Sequence, residues 1–292
     1  MSKHYSRRIG LALTLQIVTA FCFIFIISLF QKCSAYTPQR NSGKRIVFIR
    51  HGCTFANEFL AQPGTGWGDP TFKDTVDLRD SELSPTGIRQ ALKLREQIVD
   101  GRFPVNVDEI DLVVVSPLSR TLQTFELSLY PQMMKKESGE KIPIVALPLA
   151  RERLYMISDM GLTTSELKAK FSWADFDSEF PDEETQQRWW YTRRDEWEGY
   201  QEWRPHGQGQ QYLVPGEPDD VFEDRMTSLR EWLGKREEKT IVVVCHWGVL
   251  EWLTGIDFDN CEVKVVEYDK LASIQKKTLF SHLKNLIKMS GA

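Results

Sequence analysis

The sequence has no paired-cysteine motif and no excess of positive charge, and each absence excludes a class of protein. Its five cysteines are widely spaced and none forms a CxxC pair, so the chain carries neither a disulfide framework nor a zinc motif. The formal net charge is -4 at pH 7, which gives no indication of general affinity for nucleic acids. Any anion-binding site must therefore be a local cluster of basic residues.

Two common motifs of phosphate chemistry are also absent. The sequence contains no Walker loop with its lysine and no run of alternating aspartates that would hold magnesium. If the protein handles a phosphoryl group, we expect arginine and histidine side chains to neutralise its charge in place of a metal ion. The sequence thus predicts no metal site and no cofactor.

The chain does have the composition of an ordinary globular protein, preceded by a long apolar segment. It has 292 residues, of which 41% are hydrophobic and 27% are charged, which suits one large α/β domain or two small ones. Residues 9–30 contain no charged side chain. As a helix this segment would be about 33 Å long, enough to cross a bilayer.

The N-terminal segment has two interpretations that the sequence leaves open. Its length favours a retained membrane anchor, whereas the small residues before Tyr36 provide a cleavage site for a signal peptide. Residues 34–38 also resemble the junction of two-part plastid-targeting leaders. We expect an anchor or signal peptide over 1–35, a linker over 36–43 and a catalytic domain over 44–292. The protein would be membrane-anchored or secretory, with plastid targeting as the alternative.

Four short apolar runs predict strands that are buried on both faces, as in a parallel sheet. Helical patterns separate these runs; the clearest starts at Ser84, a good N-cap, with Pro85 in the first helical position. Residues 262–268 alternate and suit an edge strand. We predict an α/β fold with three layers (α/β/α), a mostly parallel central sheet, a lid insertion and an N-terminal hydrophobic helix. The four runs span residues 46–49, 112–115, 142–149 and 240–245.

Each predicted strand ends close to a residue that could take part in phosphate chemistry. Arg50 and His51 follow the first strand, Arg120 the second, Glu152 the third and His246 the fourth. Open α/β sheets bind ligands at the carboxyl ends of their strands. A single polar residue there would usually be a solvated strand end, but four are hard to produce by chance. Two arginines and two histidines around one point would suit a phosphoryl dianion.

Residues 155–215 are rich in tryptophan and charge and have poor hydrophobic periodicity. We interpret them as a lid over the carboxyl edge of the sheet. The favoured alternative for most individual residues is a partly helical cap whose tryptophans pack on the core. The basic side chains that could meet an anionic substrate there are Arg188, Arg193, Arg194, Arg204 and His206.

The motifs around the strand ends resemble those of the histidine phosphatase superfamily, in its phosphoglycerate-mutase-like branch. They are RHGxTxxN at 50–57, SPLSRTxQT at 116–124, RE at 151–152 and HxG at 246–248. Their order fits the family over roughly residues 44–268. The chain departs from the family at Cys53, where Glu or Gln is usual, and at Trp247, where Gly, Ser or Asn is commoner. Neither departure removes a catalytic group.

The resemblance implies a role for each strand-end residue. His51 would be the nucleophile that forms a phosphohistidine, with its other ring nitrogen held by a carbonyl. Arg50, Arg120 and His246 would hold the equatorial oxygens as charge builds. Glu152 would protonate the leaving oxygen and then help to activate water. No step of this mechanism needs a metal.

The resemblance further implies that Thr54 and Asn57 support the phosphate site. The function expected from it is a metal-independent phosphomonoester hydrolase that acts on a small phosphorylated substrate. No nucleic-acid partner is expected, and the membrane is a partner only if the N-terminal segment is retained. Two alternatives are a phosphoglycerate-type mutase, which needs a second anion subsite, and a catalytically inactive, membrane-tethered phospho-ligand binder. We prefer hydrolysis because the lid is not a clear basic cluster.

Overall fold

The computed structural model describes residues 43–63, 75–133, 136–191 and 216–272. The predicted hydrophobic helix within residues 1–35 and nearly all of the predicted linker lie outside these ranges. No helix within the four ranges is long and apolar enough to cross a membrane. The anchor and the signal peptide therefore stay predictions.

A five-stranded sheet forms the centre of the described part of the chain, in the order β3-β2-β4-β1-β5. Neighbouring strands from β3 to β1 pair in parallel, and β5 pairs antiparallel with β1 at the edge. The predicted mostly parallel sheet and the predicted edge strand are both confirmed. The bounds are β1 Arg45–Arg50, β2 Leu112–Val115, β3 Ile144–Ala146, β4 Thr240–Cys245 and β5 Val263–Glu267.

Eight helices lie between or beside these strands in the described ranges. The second starts as predicted, because the Ser84 hydroxyl accepts a hydrogen bond from the Gly87 N–H and Pro85 is the first helical residue. The bounds are α1 Phe55–Leu60, α2 Pro85–Val99, α3 Ser119–Ser128, α4 Tyr130–Met133, α5 Thr164–Lys170, α6 Glu183–Gln187, α7 Asp219–Lys235 and α8 Trp247–Thr254.

Helices cover both faces of the sheet, which explains why the strands are apolar throughout. Alternate strand residues such as Val113 and Val242 are buried with Leu94 of α2 and with residues of α3. Their neighbours in sequence, such as Val114, pack on the opposite face with residues of α7 and α8. Since successive strand side chains point to opposite faces, a strand buried on both sides shows no polar alternation.

The register of the sheet places two of the predicted site residues side by side. β1 and β4 are parallel neighbours with Arg50 opposite Cys245, so His51 and His246 leave the sheet at the same level. The start of α2 packs directly on the loop after His51, where a Cβ on Gly87 would lie 2.0 Å from a backbone oxygen. Only glycine permits this close approach of two backbones.

The described part of the predicted lid packs on the core. Trp189 and Trp190 are buried in the same cluster as β2 and α3, and Trp173 packs against that cluster. This confirms the alternative interpretation for these three tryptophans. Arg193, Arg194, Arg204 and His206 lie outside the described residues, as do Trp197 and Trp203, so the lid itself stays a prediction.

Candidate active site

His51 is held in one orientation at the end of β1. Its backbone N–H donates to the Cys245 carbonyl at 3.1 Å, and its ring Nδ1 lies 2.8 Å from the Gly52 carbonyl. A carbonyl can only accept, so Nδ1 carries the proton and the Nε2 lone pair is available. The side chain is buried. Burial, followed by the nearby charges of Arg120 and Arg50, holds the pKa of His51 well below its ordinary value, which keeps the imidazole neutral.

Arg50, the last residue of β1, places a positive charge beside His51. One of its terminal nitrogens donates to the Phe258 carbonyl at 2.6 Å. Its buried Nε–H has no hydrogen-bond partner among the residues that the structure describes. Leaving a buried N–H of a charged group unpaired is costly, so this position suits an anionic ligand that would accept from it.

Arg120, at the first turn of α3, is held by three separate groups. Its Nε–H donates to His246 Nδ1 at 3.2 Å, one Nη to the Ser158 carbonyl at 2.7 Å and the other to Asp159 at 2.9 Å. The Arg120–Asp159 ion pair is nearly fully buried. A guanidinium has five N–H donors, so two remain after these contacts. The guanidinium is thus fixed in place with donors to spare.

His246 follows β4 but differs from His51 in its surroundings. Because Nδ1 accepts from Arg120, the proton of the neutral ring is on Nε2, which donates to the Ser116 hydroxyl at 2.7 Å. The side chain is fully buried, and its ring centre lies 5.1 Å from that of His51. Burial and the Arg120 charge lower the pKa of His246 well below its ordinary value. Both ring nitrogens are thus engaged by protein groups.

Glu152 lies between the loop after β3 and the start of α8. Its two carboxylate oxygens accept from the backbone N–H groups of Arg153 at 2.8 Å and Gly248 at 3.1 Å. A Cβ on Gly248 would lie 2.5 Å from the Glu152 carboxylate, so any side chain there would displace that carboxylate. Burial, and then the nearby Asp159 carboxylate, raise the pKa of Glu152. The side chain is therefore suited to hold a proton and release it.

A buried ion-pair network fixes the loop that carries Glu152. Glu217, which is 1% exposed, accepts from Arg151 at 2.8 Å and from Arg225 at 2.9 and 2.8 Å. Arg225 also donates to the backbone carbonyls of Leu149 and Arg151. Burial, with the Arg225 charge beside it, lowers the pKa of Arg151 to about 9. The network joins α7 to the end of β3 and limits movement of the loop.

Thr54 and Asn57 interact with each other rather than with another site residue. The Thr54 hydroxyl accepts from the Asn57 N–H at 3.0 Å, and the Asn57 side-chain oxygen accepts from the Thr54 N–H at 3.1 Å. This capping box starts α1. Both residues also line the cavity described next, so they shape its wall.

A cavity of about 690 Å³ opens above the carboxyl ends of the strands. The structure brings six of the seven predicted site residues into its lining, whereas His246 is not among the lining residues and contacts Arg120. Arg188, predicted as a possible contact, does not line it either. The six lining residues are Arg50, His51, Thr54, Asn57, Arg120 and Glu152.

Three groups that matter to the site were not predicted from the sequence. Asp159 pairs with Arg120, Ser116 accepts from His246, and Glu217 holds Arg151 and Arg225. Ser116 directly follows β2, so its position at a strand end could have identified it. Asp159 and Glu217 lie in segments without a periodic pattern, and no local signal distinguishes them from solvated carboxylates.

Cys53, one of the two departures from the family pattern, is partly buried beside the site. Its backbone N–H donates to Gln90 at 2.8 Å. Burial raises the pKa of its thiol, which favours the protonated form and suits a small packed thiol rather than a reactive one.

The family comparison agrees with the motifs. The family model of the histidine phosphatase superfamily (branch 1) matches residues 46–187. A comparison with curated proteins finds no match.

Several solved structures match the chain at low sequence identity. An ecdysone phosphate phosphatase from Bombix mori, in complex with tungstate, is 14% identical with a TM-score of 0.44, covering 79% of this chain and 92% of that one. A phosphoglycerate mutase from Thermus thermophilus is 18% identical (TM-score 0.37; 78% and 96% covered). A mycobacterial glucosyl-3-phosphoglycerate phosphatase is 17% identical (TM-score 0.38; 76% and 92% covered). Likeness at this level does not bear on the substrate.

Proposed function

We propose that this chain, whose residues 46–187 match the family model of the histidine phosphatase superfamily, hydrolyses phosphomonoesters through a phosphohistidine at His51, without a metal ion. The observation that carries the proposal is the state of His51. Its Nδ1–H is bound to the Gly52 carbonyl, so the Nε2 lone pair is the one that can attack. Arg50, Arg120 and Glu152 line the same cavity.

In the first step, His51 Nε2 attacks phosphorus and the bond to the leaving oxygen breaks. Arg50, whose Nε–H has no partner in the described part of the chain, and Arg120, with two N–H donors left by its described contacts, stabilise the charge on the equatorial oxygens. Glu152 gives its proton to the leaving oxygen, so that an alcohol departs instead of an alkoxide. The products of this step are the alcohol and a phosphohistidine.

In the second step, the Glu152 carboxylate takes a proton from a water molecule as the water oxygen attacks the phosphohistidine. The P–N bond breaks, its electron pair returns to Nε2, and inorganic phosphate leaves. Glu152 is then protonated again and His51 is neutral, so the cycle closes without a net change in the enzyme. His246 has both ring nitrogens engaged, one by Arg120 and the other by Ser116, and it contributes by positioning the Arg120 guanidinium.

The mutase alternative has less support from the cavity. A mutase must hold a second anionic group, yet the described lining also contains the carboxylates of Asp219, Glu223 and Glu251. Arg153 lines the cavity as well, but its guanidinium pairs with Asp219. Following 3-phosphoglycerate with a bisphosphoglycerate primer would detect isomerisation if it occurs. A catalytically inactive binder would show neither isomerisation nor phosphate release.

The decisive experiment compares the wild-type protein with His51→Ala on p-nitrophenyl phosphate. We expect turnover to fall by at least roughly 10⁴-fold, because nucleophile removal in other enzymes costs this much or more. Wild type should also form an acid-labile phosphoenzyme that the variant lacks, and thermal melting of both proteins controls for folding. Unchanged turnover in His51→Ala would exclude the mechanism. Turnover that persists after exhaustive chelation supports metal independence, whereas loss that a divalent cation restores contradicts it.

A further inference from the structure

One part of the cavity lining is aromatic. Trp247, the first residue of α8, is 46% exposed, and its indole N–H donates to Asp257 at 2.7 Å. This bond fixes the ring before any ligand arrives, so little side-chain entropy is lost on stacking. Tyr155, Phe222 and Trp252 line the same cavity, and the last two are buried. A lone surface tryptophan would need no explanation, but four aromatic residues in one cavity do.

The charged residues near these aromatics are mostly acidic. Asp219 and Glu223 come from the start of α7 and Glu251 from the second turn of α8, and all three line the cavity with exposed side chains. The described lining offers Arg153 as the basic residue of this part. Its guanidinium pairs with Asp219 and lies 4.8 Å from the Tyr155 ring centre, so its charge is already matched.

The residues that line the cavity thus form two chemically distinct sets. Arg50 and Arg120, with His51, carry positive charge, which suits a phosphoryl dianion. Tyr155, Phe222, Trp247, Asp219, Glu223 and Glu251 combine aromatic faces with net negative charge. We name this second set the aromatic–acidic rim.

We infer that the aromatic–acidic rim is a leaving-group subsite that accepts an aromatic alcohol, neutral or cationic, and disfavours one with a second anionic group. Stacking on Trp247 would hold the ring, and the carboxylates would repel an added carboxylate or phosphate. The alcohol reaches this rim only if its phosphoryl group lies at His51, so the subsite rests on the function proposed above. Small polyanionic phosphates would be poor substrates.

The test uses three esters that differ only in charge far from the reacting atoms. They are benzyl phosphate, 4-carboxybenzyl phosphate and 4-(aminomethyl)benzyl phosphate, whose leaving oxygens are insulated from the substituent by a methylene group. We expect kcat/KM of the full-length protein to be about fivefold to tenfold lower for the carboxylate than for the parent, because the rim carboxylates are exposed and partly screened. The ammonium ester should equal or exceed the parent.

Substitution of the rim carboxylates should remove this selectivity. In Glu223→Gln/Glu251→Gln the ratio between the ammonium and carboxylate esters should fall to about one-third or less of its wild-type value. The matched control is Glu231→Gln/Glu237→Gln, which removes two exposed carboxylates outside the cavity and should leave the ratio unchanged. For the aromatic contact, Trp247→Ala should lower the preference for benzyl over ethyl phosphate by about fivefold, whereas Trp247→Phe should retain most of it.

The outcomes separate the subsite from the proposed function. If the carboxybenzyl ester is hydrolysed as well as benzyl phosphate or better, in a reaction that still needs His51, the subsite is excluded but the proposed phosphatase activity is not. If none of the esters is hydrolysed, the Kd values of the three corresponding benzylphosphonates test the same order without turnover. A weaker Kd for the carboxylate then supports the subsite although the phosphatase has failed, and equal Kd values reject it.

Discussion

The two strands that carry histidines, β1 and β4, look alike in sequence and end at the same level of the sheet, yet their histidines differ in every contact. β1 and β4 are parallel neighbours with Arg50 opposite Cys245. His51 lines the cavity and has Nε2 available. His246 is fully buried, with Arg120 on one ring nitrogen and Ser116 on the other.

The difference begins in the residues that follow each histidine. After His246 a helix starts at once, and the histidine itself is the N-cap of α8. After His51 three residues intervene before α1 starts at Phe55, and the carbonyl of the first of them, Gly52, turns to the ring. A histidine at a strand end can therefore supply the nucleophile or hold the arginine beside it, depending on its hydrogen-bond partners.

The largest effect should come from exchanging each histidine for asparagine. His51→Asn should lower turnover by at least roughly 10⁴-fold and abolish the phosphoenzyme. His246→Asn should lower turnover by roughly 10²-fold, because it loosens one arginine rather than removing the nucleophile, and it should still form the phosphoenzyme. Steady-state rates and acid-labile phosphate on the protein measure both. A phosphoenzyme in His51→Asn but not in His246→Asn would reverse the assignment.

The second prediction concerns Gly248, which lies in the first turn of α8, the helix that starts directly after His246. Gly248→Ala places a Cβ 2.5 Å from the Glu152 carboxylate and should displace it. We expect kcat/KM for an alkyl phosphate to fall by roughly 10²-fold, since its alkoxide needs a proton, and kcat/KM for p-nitrophenyl phosphate to fall much less. The ratio kcat/KM reports phosphoryl transfer to His51, whereas kcat also includes the second step, which is common to both substrates and also uses Glu152. Glu152→Gln is the matched variant and should show the same split. An equal loss on both substrates would mean that the substitution damages the phosphate site instead.

The dependence of kcat/KM on pH tests the protonation states of His51 and Glu152. His51 must be neutral to attack, and its pKa is lowered from the ordinary value of 6.5, so the acidic limb of kcat/KM should lie below that value. Glu152 must be protonated for an alkyl leaving group, and its pKa is raised from 4.5, so kcat/KM should fall as pH rises through that raised pKa. Each limb should change by about tenfold per pH unit.

One substitution and one change of substrate identify the group behind the alkaline limb. Glu152→Gln should lose the alkaline limb, and p-nitrophenyl phosphate, whose leaving group needs no proton, should show little of it even in the wild type. An acidic limb at or above 6.5 would contradict the neutral, buried state of His51.

The smallest effect concerns the second partner of His246. Ser116→Ala removes the hydroxyl that accepts from Nε2 and should lower kcat by about fivefold, the value of one buried hydrogen bond. Ser128→Ala is the control, because this serine on α3 is also buried and hydrogen-bonded, but its hydroxyl donates to the Thr124 carbonyl and not to a site residue. It should lower the melting temperature without changing kcat. Equal kcat in both variants would show that the Ser116 contact does not position His246.

Much of the fold could be predicted because its signals are local. Apolar runs predicted β1, β2 and β4 closely, whereas the run 142–149 overestimated β3, which is Ile144–Ala146. The other apolar residues of the run lie in the 3₁₀ turn Pro148–Ala150 or in the loops on either side of β3, where they pack in the core. A strand ends where pairing ends, and pairing with β2 spans only three residues. The hydrophobicity of a run does not show at which residue strand pairing ends.

The positions of the candidate site residues were predictable for a related reason. Arg50, Arg120, Glu152 and His246 each follow a strand or open the helix after it, and parallel strands bring such positions to one edge. The cavity lining contains three of the four. The fourth, His246, contacts Arg120 and Ser116 instead. This position could not be foreseen, because it depends on two hydrogen bonds to residues more than 120 positions away.

Short-range patterns of apolar and polar side chains specify the main strands and helices, the sheet edge at which the polar residues meet and the residue types available there. Long-range contacts in the folded chain set which ring nitrogen of each histidine is engaged, pair Asp159 with Arg120 and place Gly248 against Glu152. These contacts join residues that are far apart in the chain and have no shared pattern. Burial then sets the charge states, raising the pKa of Glu152 and lowering that of His51, because desolvation acts on a group only once the surrounding chain has enclosed it.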